Sequence, residues 1–198
     1  RLLTRSGLEG LKKHLLPLAS LVTPNIKESE LLSGIKIKSN SDRKKAARAI
    51  LKTGVRAVLI TGGHLKGNPE DLLLDAKGDQ LFSSERLSKA DMHGPGCVFS
   101  AAIAARLAKG VSLREAIEDA KVYVGQAIVG GVSSGNGTPC VEPFAAMYRE
   151  NEKQQCLSDL DKAMEIFTKE RIGNLVPEVQ TNIGLGLSNA KKHEDVLA

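Results

Sequence analysis

Short apolar segments alternate with amphipathic helical segments along most of this chain of 198 residues. Apolar side chains recur at helical spacing in Leu8, Leu11 and Leu15, whereas the run at residues 55–61 is apolar and rich in β-branched residues. Such alternation is typical of an α/β domain in which helices cover a sheet. The predicted helices cover residues 8–16, 26–33, 41–53, 98–109 and 113–129, and the predicted strands cover residues 18–22, 55–61, 71–75 and 80–83.

A glycine-rich loop at residues 91–97 leads directly into an alanine-rich helix. Gly94 and Gly96 flank Pro95, and Cys97 stands where the helix begins. The unpaired N–H groups and the positive dipole end of a helix start favour an anion, and a thiol in such a place has a lowered pKa. The pattern indicates a place where a phosphate meets a titratable group. The alternative is a glycine turn before a core helix, with Cys97 as a small buried residue.

Asn25 and Glu28 stand three residues apart, directly after Pro24 and a predicted strand. Asn is a favoured N-cap, and a Glu at the third helical position completes a capping box. On these residues alone, capping is the favoured interpretation.

A second glycine pair follows the predicted strand at residues 55–61, in the order Thr61-Gly62-Gly63-His64. Glycines there permit a close approach of the backbone to a ligand, and α/β folds bind ligands at the carboxyl ends of their strands. A plain strand-to-loop turn explains the spacing equally well. Lys121, on the helix at residues 113–129, either reaches toward phosphate or is exposed, and exposure is the favoured interpretation.

Composition limits the kinds of partner. The chain is 41% hydrophobic and 26% charged, as globular proteins are, and only 3% aromatic, so stacking platforms for nucleic acid are not expected. The formal charge of +5 suits anionic ligands, but the basic residues are dispersed. Three widely spaced cysteines fit neither a zinc site nor a disulfide framework. We expect a cytoplasmic protein that binds neither membrane nor nucleic acid.

The segment His93-Gly94-Pro95-Gly96-Cys97 resembles the anion-hole loop of the ribokinase-like superfamily. The cysteine at its end is similar to that of the hydroxymethylpyrimidine/phosphomethylpyrimidine kinases of thiamine biosynthesis. Further segments carry this resemblance: residues 15–19, 23–25, 62–65 and 119–124. It covers about residues 11–144 and implies the C-terminal part of a ribokinase-like, three-layer αβα sandwich. It also implies ATP- and Mg²⁺-dependent phosphorylation of 4-amino-5-hydroxymethyl-2-methylpyrimidine and of its monophosphate.

The resemblance assigns roles to particular residues. The amides of Gly94, Gly96 and Cys97 would hold the transferring phosphate, and the Cys97 thiol would accept the proton of the substrate hydroxyl. Asn25 and Glu28 would order the water shell of Mg²⁺. The residues expected at the nucleotide are Asn25, Glu28, Thr61, Gly62, Gly63, His64 and Lys121.

Two departures weaken the expectation of full activity. Thr61 stands where these kinases usually carry lysine, which removes a charge from the nucleotide site. In this family the pyrimidine ring is held largely by the N-terminal half, to which no segment here corresponds. We therefore expect the chain alone to be inactive or very weak as a kinase. The alternatives are a non-catalytic module that binds nucleotide or phosphate, and another ribokinase-like vitamin kinase of the pyridoxal type.

The polar run at residues 148–155 predicts a linker or an exposed helix end near residue 150. We therefore assign residues 1–150 to the kinase-like domain and residues 151–198 to a linker and a further α+β segment. The tail is similar to the start of an archaeal-type thiamine-phosphate synthase domain, through segments 176–179, 181–183 and 187–191. The alternative is a C-terminal helix and strand packed on the kinase-like domain. A homodimer is compatible with the superfamily.

Overall fold

The computed structural model of the protein describes residues 4–63, 67–87, 92–133 and 135–169, and two short strands at 185–186 and 196–197. Within these residues an antiparallel three-stranded sheet lies between two layers of helices. The strands are β1 (Val58–Ile60), β2 (Glu70–Asp75) and β3 (Gly78–Ser83), with β2 in the centre. The predicted α/β architecture of three layers is confirmed. The strands predicted at residues 71–75 and 80–83 are present as β2 and β3, which pair as the hairpin that the intervening Lys77-Gly78-Asp79 predicts.

The helices follow the predicted order. They are α1 (Arg5–Gly10), α2 (Ile26–Ser33), α3 (Asn40–Leu51), α4 (Pro95–Ala108), α5 (Leu113–Val129) and α6 (Ala145–Lys169). A π-helical turn (Leu11–Leu15) and a 3₁₀ turn (Leu16–Leu18) extend α1. Two short strands, β4 (Leu185–Gly186) and β5 (Val196–Leu197), pair in the tail. None of the described helices combines the length and the apolar character that a membrane span requires.

The sheet separates two apolar cores. Val58 and Ile60 of β1 pack toward α2 and α3, whereas Leu59 between them packs toward α4 and α5. Successive side chains of a strand point to opposite faces, so a continuous apolar run such as β1 serves both cores. The first core contains Leu16, Leu32, Ala46, Ala47, Ile50, Val55, Val58, Ile60 and Leu74. The second contains Ala57, Leu59, Leu73, Phe82, Phe99, Ile103, Ala116, Ile117 and Ala120.

The predicted strand at residues 18–22 is wrong in its bounds. Leu18 closes the 3₁₀ turn and is 81% exposed, and the first bridge to β1 is at Val22. From there the chain runs parallel to β1, since the Val22 carbonyl accepts from the Leu59 N–H (2.9 Å) and Asn25 bridges to Thr61. Pro24 has no N–H to donate, which shortens the ladder. The extended segment still brings Asn25 to the end of β1.

The polar run at residues 148–155 is helical throughout. Helix α6 begins at Ala145 and continues past residue 150, so the linker that we predicted as one alternative is wrong, and the exposed helix end predicted as the other is closer, although the helix does not end here. Polar residues favour helix when they pair along an exposed face, as Gln154 does with Glu150 at 3.2 Å. The turn and strand predicted at residues 172–184 lie outside the described residues.

Candidate phosphate and nucleotide site

The predicted site residues gather at the edge of the sheet where β1 ends. A cleft of about 1830 Å³ opens there between this edge and helices α4, α5 and α6. Six of the predicted residues line it: Asn25, Thr61, Gly63, Gly94, Gly96 and Lys121. Glu28, Gly62 and Cys97 stand beside it without lining it, and His64 lies outside the described residues. The structure thus brings together segments separated by almost one hundred positions of sequence.

The start of α4 forms one wall of this cleft. Gly94 is its N-cap, with φ 102° and ψ −13°, a left-handed conformation that glycine adopts without strain. Pro95 and Gly96 are the first two helical residues, and no side chain among the described residues caps the helix. The first N–H groups of a helix have no partner within it. An uncapped start with glycine at its second position therefore offers amide donors to an anion.

Cys97 is the third residue of α4 and is exposed. The alternative interpretation of a buried structural cysteine is therefore wrong. The helix begins at Pro95, three residues earlier than the predicted bound, because proline suits the first helical position. The thiol stands in the first turn of the helix, next to Gly96, which does line the cleft.

Asn25 and Glu28 form the predicted capping box at the start of α2. The Asn25 side chain accepts from the Glu28 N–H, and the Glu28 carboxylate accepts from the Asn25 N–H, both at 2.9 Å. The Glu28 side chain is nevertheless exposed, so its second oxygen is not enclosed by protein. Capping leaves room for an ion beside this carboxylate. Among the described residues, no group of three or more His, Cys, Asp and Glu side chains could hold a metal ion.

Gly62 and Gly63 differ in their surroundings. A Cβ on Gly62 would collide with the Glu70 carbonyl group at the start of β2, whereas nothing lies within 4 Å of a Cβ on Gly63. Gly62 is therefore required by packing against the chain itself, and Gly63 faces open space. The Glu70 carbonyl oxygen also accepts from the buried guanidinium of Arg43, at 2.7 Å. These contacts fix the loop that follows Thr61.

The side chain of Lys121 is mostly buried, and our favoured interpretation that it is exposed is wrong. Its Nζ donates to Asp71 Oδ2 at 2.5 Å, and the two side chains are 11% and 7% exposed. It also lies 5.9 Å from the centre of the Phe99 ring on α4, within the range of a cation–π contact. Sequence reasoning missed Asp71, because it placed that residue in a hairpin strand with no role at the site. The signal that could have revealed Asp71 was its position in the sequence, as a charged residue directly before three leucines of a predicted strand.

A hydroxyl pair connects the start of α4 to the segment before α2. The Thr23 and Ser100 hydroxyls are 2.9 Å apart, and Ser100 donates to the Gly96 carbonyl at 2.9 Å. On the other side of Gly94, His93 pairs with the chain that follows α5. The His93 N–H donates to the Pro139 carbonyl at 2.8 Å. The glycine loop is thus held from both sides. The sequence assigned no role to either hydroxyl.

Comparison with known proteins agrees with the predicted resemblance. A model of the phosphomethylpyrimidine kinase family matches residues 1–142. The hydroxymethylpyrimidine/phosphomethylpyrimidine kinase of Streptomyces coelicolor is 41% identical over 136 residues, covering 69% of this chain and 51% of that protein. The thiamine biosynthesis bifunctional protein ThiED of Geobacter sulfurreducens is 45% identical over 128 residues, covering 64% of this chain and 26% of that protein.

A solved structure shares the fold. The pyridoxal kinase from Staphylococcus aureus in complex with AMP-PCP matches with a TM-score of 0.68 and 36% identity, over 72% of this chain and 54% of that one. The chain thus spans about half the length of the Streptomyces relative and of this kinase. The predicted ribokinase-like fold and the predicted family are both confirmed. The chain belongs to the phosphomethylpyrimidine kinase family.

Proposed function

We propose that this chain forms the phosphate- and nucleotide-binding half of an ATP-dependent kinase of thiamine diphosphate biosynthesis. Its substrates would be 4-amino-5-hydroxymethyl-2-methylpyrimidine and the monophosphate of that compound. The observation that carries the proposal is the uncapped start of α4, which opens with a left-handed Gly94 onto the cleft that Lys121 also lines. Membership of the family supports the choice of substrate class.

The transferring phosphate would lie at the start of α4. The N–H groups of Gly96 and Cys97 and the positive end of the helix dipole would stabilise its negative charge. The space beside Gly96 is open, since nothing lies within 4 Å of a Cβ placed there. Phosphoryl transfer depends mainly on positioning and on neutralising charge, and a helix start provides both.

The residues present suit ATP and Mg²⁺. Lys121 and the amides of α4 would hold the phosphates, and Thr61, Gly62, Gly63 and His64 would border the nucleotide. Asn25 and the exposed Glu28 carboxylate would order water around the metal ion, a donor set that Mg²⁺ accepts. When bound, ATP supplies the phosphoryl group and Mg²⁺ neutralises the charge on its phosphates.

Cys97 would serve as the proton acceptor. In the first phosphorylation, the substrate hydroxyl oxygen forms a bond to the γ-phosphorus, and the bond from that phosphorus to the β–γ bridging oxygen breaks. ADP leaves with the electron pair of the broken bond, and the hydroxyl proton passes to the thiolate of Cys97. The exposed position of Cys97 in the first turn of α4 supports this role.

Two measurements on the chain of 198 residues test the proposal. We expect Mg²⁺-dependent binding of ATP in an equilibrium titration, and slow transfer of labelled phosphate to the hydroxymethylpyrimidine. Cys97→Ala should keep the affinity for ATP and reduce transfer about 10²-fold, a typical contribution of a general base. Cys156→Ala is the matched control, because Cys156 lies on α6 and is remote in sequence from the start of α4, where Cys97 lies.

The outcomes separate the alternatives. Binding without any transfer would favour the non-catalytic module that binds nucleotide. No binding of ATP in the presence of Mg²⁺ would contradict the proposed function. Equal loss of transfer in the Cys97 and Cys156 variants would remove Cys97 from the reaction and leave the nucleotide site in place.

A pyridoxal-type kinase is the second candidate. The likeness to the pyridoxal kinase of Staphylococcus aureus, with a TM-score of 0.68, favours it. The same transfer assay distinguishes the two when pyridoxal and the hydroxymethylpyrimidine are offered in parallel at equal concentration. Faster transfer to pyridoxal would replace the first candidate by the second.

We further propose that residues 151–198 belong to a second, synthase-like module. The family model matches only residues 1–142, and one relative is a bifunctional protein of thiamine biosynthesis. Because helix α6 crosses residue 150 and ends at Lys169, the test removes the residues after it: a chain ending at residue 169 should then unfold at the same urea concentration as the full chain. A clear drop in that midpoint would mean that the tail packs on the kinase-like domain instead.

A further inference from the structure

Strand β2 presents two carboxylates to helix α5, on either side of an apolar contact. Asp71, Leu73 and Asp75 alternate along the strand and therefore share one face. Leu73 packs in the core that contains Ile117 of α5, and both are fully buried. The flanking carboxylates each pair with a cation of α5: Asp71 with Lys121, and Asp75 with Arg114. Lys121 and Arg114 are two helical turns apart, so β2 and α5 run antiparallel.

The pair at the cleft end is the more buried of the two. Asp71 Oδ2 accepts from Lys121 Nζ at 2.5 Å, and Asp71 Oδ1 accepts from the Gly62 N–H at 2.8 Å. One carboxylate therefore joins the loop after β1 to helix α5. Lys121 also stands over the Phe99 ring of α4, and Asp71, Lys121 and Phe99 all line the cleft.

An ion pair here is a costly way to join a strand to a helix. Removing two charges from water costs free energy, which packing apolar side chains of similar size does not. Leu73 and Ile117, a turn away from this ion pair, connect the same strand and helix by apolar packing. An ammonium has three N–H donors, and Asp71 is its one acceptor among the described side chains. The remaining donors stand at the wall of a cleft that faces the uncapped start of α4.

We infer that Asp71 is a positioning residue for nucleotide binding: it holds the Lys121 ammonium and the Gly62–Gly63 loop in one fixed relation at the cleft. The free N–H groups of Lys121 then meet the phosphates of the nucleotide. This cation would provide the positive charge that Thr61, at the end of β1, does not carry. The inference rests on the proposed function, because it concerns the same nucleotide.

The far end of β2 provides an internal control. Asp75 pairs with Arg114 at 3.0 Å, and neither residue lines the cleft. Burial raises the pKa of Asp75, but the hydrogen bonds from Arg114 and from the Lys77 N–H outweigh burial and hold that pKa below its usual value. Asp75 thus joins the same strand to the same helix by the same chemistry, away from the candidate site.

The test compares the affinity for ATP with Mg²⁺ across matched variants of the full chain. Asp71→Asn keeps an oxygen for the Gly62 N–H and loses the charge that holds Lys121. We expect it to weaken ATP binding about tenfold, as expected when a charged hydrogen bond is lost. Lys121→Met should weaken binding at least as much, and the Asp71→Asn/Lys121→Met double variant no more than Lys121→Met alone. Asp75→Asn should leave the affinity for ATP unchanged.

Each outcome supports or overturns the inference about Asp71. If the parent chain binds ATP and Asp71→Asn binds it equally well, the inference is overturned and the proposed function stands. If the parent chain does not bind ATP, both fall. If Asp71→Asn does not fold, the double variant, which has no unpaired charge, replaces it. Weaker binding by the double variant than by Lys121→Met would then show that Asp71 acts independently of Lys121, contrary to the inference.

Discussion

Helices α2 and α4 both begin at the edge of the cleft, but they begin in opposite ways. The start of α2 is closed by its own side chains, since Asn25 and Glu28 exchange two hydrogen bonds of 2.9 Å with each other's N–H groups. The start of α4 has Gly94 as its N-cap and no capping side chain. Both Asn25 and Gly94 line the cleft.

The difference shows how a helix start becomes available to a ligand. A capped start satisfies its amides within the protein, which stabilises the helix whether or not anything binds. An uncapped start leaves amides to water until an anion replaces it. The capping pair of α2 therefore has a structural role of its own, whereas the open start of α4 leaves N–H groups available to an anion. The predictions for Gly94, Gly96 and Asn25 each alter one of the two starts, and the last prediction concerns Glu30, within α2.

The largest effect is expected at Gly94. Alanine there would have to keep φ near 102°, and its Cβ would lie 3.1 Å from Val141 Cγ2. A left-handed backbone conformation costs a residue with a Cβ about 1–2 kcal/mol, and the close contact with Val141 adds to this cost. We expect Gly94→Ala to lower the free energy of unfolding by about 2 kcal/mol, measured by urea denaturation. It should also weaken ATP binding, because the amides of α4 would shift.

Gly96→Ala is the matched control for Gly94→Ala. Gly96 is helical and has open space around the position of a Cβ, so alanine should raise the free energy of unfolding by about 0.5–1 kcal/mol. ATP binding should nevertheless weaken, because the added methyl group would occupy the phosphate position. Equal effects of the two substitutions on stability would contradict the described conformation of the α4 start.

A smaller effect is expected at Asn25. Asn25→Ala removes the cap of α2 and should lower the free energy of unfolding by about 1 kcal/mol. Asn25→Ser keeps a capping oxygen and should restore most of that stability. If the Asn25 amide also orders water around Mg²⁺, the serine variant should still bind ATP with Mg²⁺ less tightly than the parent chain. Full recovery of both stability and affinity would restrict Asn25 to capping.

The smallest effect concerns the pH dependence of α2. The Ile37 N–H donates to Glu30 at 2.9 Å and Lys36 donates at 3.0 Å, and these bonds hold the pKa of Glu30 below its usual value. A carboxyl with a lowered folded-state pKa stabilises the fold above its unfolded pKa, about 4.3 for Glu, and loses this as the pH falls through the folded value. No acidic residue lies in the first turn of α4.

Thermal unfolding of Glu30→Gln and the parent chain checks this dependence. The parent should be slightly more stable at pH 7, and the difference should vanish once the pH lies below the folded-state pKa of Glu30. A difference that persists unchanged in acid would mean that the Glu30 contacts do not depend on its charge. The α4 variants should show no comparable change between these pH values.

The parts of this protein that local chemistry governs were predictable from its sequence. The bounds of α2, residues 26–33, were predicted correctly because a capping box starts that helix and Gly34, with φ 74°, ends it. The glycine loop before α4 was recognised because glycine and proline restrict the backbone directly. Local polarity left a linker and an exposed helix end both open at residues 148–155, because the two have the same composition.

The errors at the site come from contacts that are distant in sequence. Lys121 has the sequence surroundings of an exposed helical lysine, yet its partner Asp71 lies 50 positions away, on strand β2. Gly62 has the pattern of a ligand-binding glycine, yet its missing side chain makes room for the Glu70 carbonyl group. Neither fact is visible until the sheet and α5 are in place.

The sequence by itself determined the family, the order of helices and strands, the capped start of α2 and the glycine loop of α4. These features depend on residues within a few positions of each other, whose backbone preferences and hydrogen bonds are local. Only the tertiary structure decided that Lys121 is buried against Asp71, that Cys97 is exposed, and that Asn25, Thr61 and Gly94 share one cleft. Such facts depend on packing between distant segments, because burial and ion pairing arise only when the sheet brings those segments together.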